Sequence, residues 1–384
     1  MKCPVRLIVP AMLAALALPC MATQRVTVEQ LQQTLAAQRA ADKSDGYTAE
    51  QLGKLELTEQ LTEHTYARIT AELKPGPKTL LALKLLADLS VFLEPPASEL
   101  PDRAPPTAAE QRSMWNGATN YVGVTLRHMP NFLATRLTQR YDDSPLMSIT
   151  NGLGPYLDLH LTQTFSQQIA YRDGEEVAAS KPTLESSSSG FTGYTSKGEF
   201  GPILATILVD TSKGKVTWSH WEQTASGQVA VFHYAVPQAA SHYSVDFCCV
   251  QNPASGALAF GFAAGTELAS NTDSYRGTPG YHGNVYLDPA TGAILRITMD
   301  TELKASDPIK RVGMSVEYGP VEIGGKNFIL PVHSIAIMLA RSYLGGTGRS
   351  GSMNEKTILS INEVSFSEYH RFGSTMRLIT DAPQ

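Results

Sequence analysis

Most of the chain alternates apolar and polar residues with a period of two, the pattern of a β-strand that buries one face. In residues 281–300, Val285 and Leu287 share one face of a predicted strand, and the apolar positions after the turn repeat this spacing. Asp-Pro-Ala-Thr-Gly at residues 288–292 separates the two runs, and its Asp, Pro and Gly favour a tight turn. The segment therefore predicts a β-hairpin, and the same pattern recurs over residues 131–366.

This recurrence predicts a large antiparallel sheet whose first strand begins at Phe132. In that strand Leu133 and Leu137 alternate with Arg136 and Arg140, so we expect the leucines and the arginines on opposite faces. Further strands are predicted at residues 159–171, 215–223, 229–236, 243–251, 283–287, 294–303, 312–318, 327–339 and 357–366.

Some predicted strands are apolar on both faces, as in residues 229–236 and 335–339. A sheet with one face in water would not show this pattern, so we expect helices, a second sheet or a ligand to cover the second face. Trp218 and Trp221 lie three residues apart in one predicted strand, which places them on opposite faces.

A short stretch at residues 199–208 departs from the β pattern. Apolar residues recur there at helical spacing behind Pro202, which favours the first turn of a helix. We therefore predict a short helix that lies on the sheet as a lid. Its predicted contact residues are Phe200, Ile203, Leu204 and Ile207.

The segment before the sheet is helical in pattern. Thr27 begins one predicted helix with a capping box, and Pro75-Gly76-Pro77 separates two others because proline cannot continue a helix. A further helix is predicted at residues 108–126. The predicted organisation is a signal peptide at residues 1–22, a helical region at 23–93, a proline-rich linker at 94–106, an antiparallel β domain with covering helices at 107–372, and a tail at 373–384.

Residues 1–22 have the composition of a secretory signal. Lys2 and Arg6 precede an apolar run, and small residues end it, so we expect cleavage after Ala22 and export to the periplasm or the medium. A lipid-modified Cys20 is the alternative to cleavage there. No other segment is apolar enough to cross a bilayer, so we expect no membrane span in the mature chain.

Composition restricts the remaining function classes. The chain has 384 residues and a formal net charge of -5, with no basic run, which disfavours nucleic-acid binding. After cleavage at Ala22 only Cys248 and Cys249 remain, and neighbouring cysteines form either a strained bridge or two buried thiols. The sequence leaves both states open.

Motifs for catalysis and metal binding are absent from the sequence. The nine histidines include no H-x-x-x-H or H-E-x-x-H spacing, and no G-x-S-x-G elbow is present. His220 and His233 fall on neighbouring predicted strands, and His282 precedes another, which is typical of surface or hydrogen-bonded histidines. We therefore predict no metal, no cofactor, no catalytic residues and no enzymatic activity.

Several turn and packing motifs recur in a fixed order along residues 108–366. They are Met-Pro-Asn-Phe at 129–132, Arg140-Tyr141, Gly-Glu-Phe-Gly at 198–201, Tyr-His-Gly at 281–283, Asp-Pro-Ala-Thr-Gly-Ala-Ile-Leu-Arg at 288–296, Tyr-Gly-Pro-Val-Glu-Ile-Gly-Gly at 318–325 and Leu-Pro-Val at 330–332. Together these motifs resemble a group of exported proteins found in acidobacteria, whose β portion resembles the fold of the periplasmic lipoprotein carrier LolA.

This resemblance implies an α+β fold in which a curved, incompletely closed antiparallel sheet, a half-barrel, carries a short helix over its apolar side. It implies a non-enzymatic binding or carrier protein for a lipid or lipoprotein. An envelope interaction or sensor protein with the half-barrel as its scaffold is the first alternative, and an exported hydrolase is the second. An open apolar space behind the lid would favour the carrier, and a packed one the scaffold. The predicted groove residues are Phe165, Ile169, Trp218, Phe232, Leu295 and Ile297.

Overall fold

The structure is a computed structural model that describes residues 24–143, 159–180, 183–186, 198–224, 227–247, 275–344 and 354–371. The predicted signal peptide with Cys20, the Cys248-Cys249 pair and the predicted tail lie outside these ranges. The end of the strand predicted at residues 243–251 also lies outside them.

The first part of the described chain is a small helical unit with its own core. Its elements are β1 (Gln24–Val26), α1 (Val28–Ala40), α2 (Asp45–Leu52), β2 (Leu55–Leu57), α3 (Glu63–Leu73) and α4 (Pro77–Ser90). Thr27 caps α1 as predicted. Its hydroxyl accepts a hydrogen bond from the Gln30 N–H, and the Gln30 side chain accepts one from the Thr27 N–H. Leu31, Leu52 and Leu83 are fully buried in the core of this unit.

The proline-rich segment after α4 is fastened at several points. Glu99 accepts a hydrogen bond from the Thr65 hydroxyl at 2.9 Å, which ties the segment to the helical unit. The Trp221 indole N–H donates to the Ala104 carbonyl at 3.0 Å, and the Arg103 guanidinium lies 4.0 Å from the centre of the Trp221 ring. The segment therefore contacts both the helical unit and the sheet.

The remaining described chain builds the sheet and two covering helices. In chain order these elements are α5 (Ala108–His128), β3 (Phe132–Asp142), β4 (His160–Arg172), β5 (Glu175–Ala178), β6 (Thr183–Ser186), α6 (Pro202–Thr211), β7 (Lys215–Thr224), β8 (Gly227–Val236), β9 (Val245–Phe247), β10 (Tyr275–Gly277), β11 (Gly280–Leu287), β12 (Ile294–Glu302), β13 (Ile309–Ile323), β14 (Lys326–Leu344) and β15 (Asn354–Arg371).

Eleven of these strands form one antiparallel sheet in the order β5-β4-β3-β15-β14-β13-β12-β11-β8-β7, with β6 also paired to β4. The sheet is curved and is not closed, because its path ends at β5 and β7. β9 and β10 pair separately. The predicted α+β class, with helices followed by a large curved antiparallel sheet, is confirmed.

The hairpin predicted at residues 288–292 joins β11 to β12. The Asp288 N–H donates to the Ala293 carbonyl at 2.9 Å, and the Asp288 carboxylate accepts from the Ala290 N–H, as its turn chemistry predicts. Gly292 has a φ of +75° and lies so close to α5 that a Cβ would stand 2.7 Å from the Gly117 carbonyl carbon. Only glycine satisfies both demands.

Helices cover the sheet on two sides. We call the face under α5 and α6 the inner face, where Tyr234, Tyr281 and Ile297 of the sheet pack with Val122 of α5 and Ile207 of α6. The cover that the two-sided apolar strands predict is therefore helical on this side.

We call the opposite side the outer face, and α4 of the helical unit packs on it. Leu85 of α4 forms one buried cluster with Ile335, Ile337 and Ile361 of the sheet. The two-sided apolar pattern of residues 335–339 thus has a structural cause, since α4 covers Ile335 and Ile337 on one side and Met338 packs with Val245 and Phe247 of β9 on the other.

Partly buried charges reinforce the contact between α4 and the outer face. Lys84 Nζ lies 2.5 Å from Glu363 and 3.2 Å from Asp88, and burial raises the pKa of Asp88 to about 6. Burial disfavours a charged His333, but hydrogen bonds to Glu317 and Glu363 outweigh it and raise the His333 pKa to about 9. His333 is therefore a cation at neutral pH, and the cluster joins α4 to β13, β14 and β15.

Candidate functional site in the covered hollow

The predicted lid helix exists as α6 and lies on the inner face. It begins at Pro202, three residues later than predicted, because Gly198 and Gly201 adopt φ values of +94° and +154° and turn the chain first. All four predicted contact residues are buried, and Gly201 stands directly against Leu126 of α5.

We call the space between the inner face of the sheet and the helices α5 and α6 the hollow. Phe200 lies in this hollow just before α6, at the centre of an aromatic cluster. Its ring centre lies 5.4 Å from that of Phe132, 5.1 Å from that of Phe366 and 6.1 Å from that of Tyr369, all edge-on. Ile169 packs in the same cluster. Edge-to-face contacts stabilise such rings beyond the area that they bury.

Most of the predicted groove residues lie on the inner face. Phe232, Ile297 and Trp218 pack under α5 and α6, and Ile169 packs beside Phe200. Phe165 is buried four residues before Ile169 on the same strand, and hence on the same face.

The predicted position of Leu295 in the groove is wrong, because Leu295 lies on the outer face with Val229, Val231 and Tyr286. The register between β11 and β12 shifts after Tyr286, so that Leu295 is an extra residue in a bulge. A bulge of one residue inverts the alternation beyond it.

A second bulge changes the position of the two tryptophans of β7. The register between β7 and β8 shifts between Trp218 and His220, and both indole rings pack on the inner face with centres 4.8 Å apart. The expectation that Trp218 and Trp221 lie on opposite faces is wrong for this reason.

The hollow behind α6 is filled by side chains. Among the described residues, the pocket between α5, the start of α6 and strands β12 to β14 measures about 20 Å³. A single ordered water needs about 10–15 Å³, whereas pockets for drug-sized molecules measure about 300–1,000 Å³. The residues that line it are Tyr121, Val122, Thr125, Leu126, Met129, Phe200, Leu204, Ile294, Tyr318, Ile329, Leu330 and Pro331.

Buried charges fasten the start of α6. Arg136 of β3 places Nη2 3.0 Å from Glu199 and Nη1 3.8 Å from Glu176, and all three side chains are buried. Burial and the nearby Glu199 carboxylate raise the pKa of Glu176 to about 7, against the opposing effect of Arg136. Glu176 also accepts a hydrogen bond from the Gly198 N–H at 3.0 Å. Arg136 therefore interacts with two carboxylates beside the turn that leads into α6.

A second buried carboxylate fastens the end of α6. Asp210 is fully buried, and it accepts hydrogen bonds from the Tyr281 hydroxyl at 2.8 Å and from the His242 N–H at 2.9 Å. The His242 ring nitrogen Nδ1 lies 2.5 Å from the same carboxylate. Burial and Asp210 raise the pKa of the Tyr281 phenol, which stays protonated and donates. Both ends of α6 are thus tied to the sheet by polar contacts.

We expect replacement of Glu176 by glutamine to reduce the pH dependence of stability. The pKa of Glu176 rises from 4.5 to about 7 on folding, so its contribution is full below pH 4.5 and is lost as the pH rises through about 7. Glutamine does not ionise. As the pH rises from about 5 to about 8, the free energy of unfolding of the variant should therefore increase by on the order of 2 kcal/mol relative to that of the wild type. Urea unfolding at both pH values measures this, and parallel pH profiles for the two proteins would contradict the assignment.

The histidines do not form a metal centre in the described part of the chain. His233 and His282 come together on β8 and β11, with ring centres 6.2 Å apart, whereas His220 lies opposite Val231. Within the described ranges, no group of three His, Cys, Asp or Glu residues has a geometry that could hold a metal ion. No described helix combines the length and the apolar character that crossing a membrane requires.

The polar residues at both ends of α6 were not predicted as site residues. Arg136 shares the buried inner face with Phe132 and Ala134, so the arginines of β3 point into the protein and Leu133 lies on the half-buried outer side. The sequence feature that could have indicated the burial of Arg136 is its position two residues after Ala134, on the same strand face as apolar residues.

Comparison with known proteins adds no family assignment. No protein-family model matches the chain, and no curated protein matches it.

Proposed function

We propose that this chain is an exported, non-enzymatic interaction protein of the cell envelope, in which the curved sheet is a filled scaffold. The predicted signal at residues 1–22 supports export. The observation that carries the proposal is the packed hollow, where α5 and α6 leave about 20 Å³. A lipid carrier would need that space open, so the geometry favours the scaffold over the carrier that the resemblance implies.

The energetics of opening the hollow support the same choice. Exposing the four apolar lid residues would cost together about 6–12 kcal/mol. An acyl chain with about twelve methylenes would return about 10 kcal/mol on burial, before the cost of ordering it. The free energy lost on exposing the lid residues and the free energy gained on burying the acyl chain are therefore similar. Separating Glu199 from Arg136 adds a further cost to opening the hollow. Lipid uptake would therefore have no clear driving force.

The helical unit offers a surface for a partner protein. Tyr47 of α2 and Leu80 and Leu81 of α4 are large apolar side chains, each about two-fifths exposed, and α2 packs directly on α4. Exposed apolar side chains that lie close together are typical of protein-protein contacts. We propose that this surface contacts another envelope protein while α4 holds the unit on the sheet.

The first test of the proposal is a search for bound lipid. We expect the purified full chain, extracted with organic solvent, to release no stoichiometric lipid by mass spectrometry. We also expect a fluorescent acyl probe to show no saturable shift with the native protein. Stoichiometric lipid, or saturable probe binding that Ile207→Trp abolishes, would overturn the scaffold in favour of the carrier.

A second test concerns the partner surface. Cross-linking to membrane-envelope extract should yield a specific adduct with the wild type that the double variant Leu80→Glu/Leu81→Glu loses. Leu161→Glu is the matched control, because Leu161 is an exposed leucine on β4 of the sheet. An adduct that survives in the double variant, or no adduct with the wild type, contradicts the proposed surface.

A further inference from the structure

A polar cleft lies on the outer face of the sheet, between the end of the helical unit and three strands. Its volume is about 210 Å³, tenfold that of the space behind α6. Phe92 and Glu94 form one side, and β8, β11 and β12 form the other. Its lining includes Phe92, Glu94, His233, His282, Asn284 and Asp300.

The floor of the cleft interrupts the regular ladder between β11 and β12. The Asn284 N–H donates to the Thr298 hydroxyl oxygen at 3.0 Å, and the Thr298 carbonyl accepts from the Tyr234 hydroxyl at 2.8 Å. A Cβ on Gly283 would lie 1.9 Å from the Thr298 carbonyl oxygen, so only glycine fits there.

The Asn284 side chain is fixed by groups at both of its ends. Its Nδ2 donates to Glu94 Oε1 at 3.5 Å, and its Oδ1 lies 3.1 Å from His233 Nδ1. Because Oδ1 can only accept, His233 Nδ1 carries the proton. In a neutral imidazole this leaves His233 Nε2 as an acceptor, while Glu94 adds carboxylate acceptors to the same wall. The cleft therefore presents oriented acceptors beside the His282 ring.

The charges around the cleft disfavour an anion and leave little demand for a cation. Glu94 and Asp300 line it, and Glu302 lies 3.6 Å from His282 just outside. Both lining carboxylates already have partners, because Arg311 Nη2 lies 2.6 Å from Asp300 and His220 Nδ1 lies 3.3 Å from Glu94 Oε2. Carboxylates, an imidazole and an amide next to an aromatic edge suit hydroxyl groups, which both donate and accept.

We propose that this cleft binds a small, neutral, hydroxyl-rich ligand of about the size of a monosaccharide. The ligand's hydroxyls would donate to Glu94 and to His233 Nε2, and its carbon skeleton would lie along Phe92. The site is independent of the scaffold role and lies on the opposite face of the sheet from α6.

Saturation-transfer NMR on the full chain tests the site. The probes are D-glucose and N-acetylglucosamine at millimolar concentration, with ethanolamine as a cationic probe and acetate as an anionic probe. We expect transfer to the sugar protons that falls about tenfold in His282→Trp, which fills the cleft. His64→Trp on α3 is the matched control and should bind as the wild type does, because His64 is exposed and remote from the cleft.

Glu94→Ala is the second variant. Although Glu94 Oε2 lies 3.3 Å from His220 Nδ1, the Glu94 side chain is 63% exposed, so its removal should leave the fold intact. It should weaken sugar binding in the same direction with an unchanged melting temperature. No transfer to either sugar with the wild type overturns the site. Transfer that persists in both cleft variants overturns its location. Stronger binding of ethanolamine or acetate, lost in the same variants, overturns the ligand class.

Discussion

Replacement of Arg136 by methionine is expected to lower the free energy of unfolding by about 3–5 kcal/mol. The substitution leaves Glu199 and Glu176 buried without the cation that lies 3.0 Å and 3.8 Å from them. Removing one partner of a buried ion pair exacts the full desolvation cost of the charge that remains. Urea unfolding followed by circular dichroism at neutral pH measures the loss.

Two further variants separate this effect from a general loss of an arginine. Arg276→Met removes an exposed arginine that pairs with Asp246 on the surface, so its cost should be within about 1 kcal/mol. The double variant Arg136→Met/Glu199→Gln should recover part of the loss, since only one of the two buried carboxylates, that of Glu176, then remains. A cost for Arg136→Met as small as that for Arg276→Met would contradict the role of the buried cluster.

Replacement of Phe200 by alanine is expected to cost about 3–5 kcal/mol of unfolding free energy. Phe200 is 1% exposed, and three aromatic rings surround it, so its removal leaves a cavity that rigid neighbours cannot fill. The same unfolding measurement detects the loss. The size of this loss also shows whether the side chains in the hollow pack as one unit.

Val209 of α6, the helix that follows Phe200, provides the control. It is 60% exposed, so Val209→Ala should change the unfolding free energy by no more than about 0.5 kcal/mol. A loss below about 1 kcal/mol for Phe200→Ala would mean that α6 is loosely held, and the filled scaffold would then lose its main support.

The sequence predicted those parts of the fold that depend on local patterns. The turn at residues 288–292 follows from the chemistry of Asp288 and Gly292, and the structure confirms its hydrogen bonds. The lid helix follows from apolar spacing behind Pro202, and α6 begins there. Local sequence determines such features because nearby residues supply nearly all of their interactions.

Face assignment failed where the strands depart from regular alternation. Leu295 and Trp221 each follow or occupy a bulge, and the choice of which residue is extra depends on the neighbouring strand. Pattern analysis of one strand contains no information about its neighbour. Ile297 therefore lies on the inner face, and Leu295 lies on the outer face.

The buried arginines of β3 could not be predicted for a different reason. Alternation separated Leu133 from Arg136 correctly, but hydrophobicity indicates the leucine as the inward residue. Glu199, which neutralises Arg136 in the interior, lies 63 residues away in sequence. Burial of a charge depends on such a distant partner, so only the folded arrangement reveals it.

The order of strands in the sheet has a consequence for how the molecule assembles. β15 lies between β3 and β14, so the last strand joins two groups of strands that have no other ladder between them in the described sheet. Until β15 is in place, β3 and β14 each present an unpaired edge open to other chains. Pairings between such remote segments form slowly because a long loop must close first. Aggregation during biogenesis should therefore be governed by how soon the final strand docks.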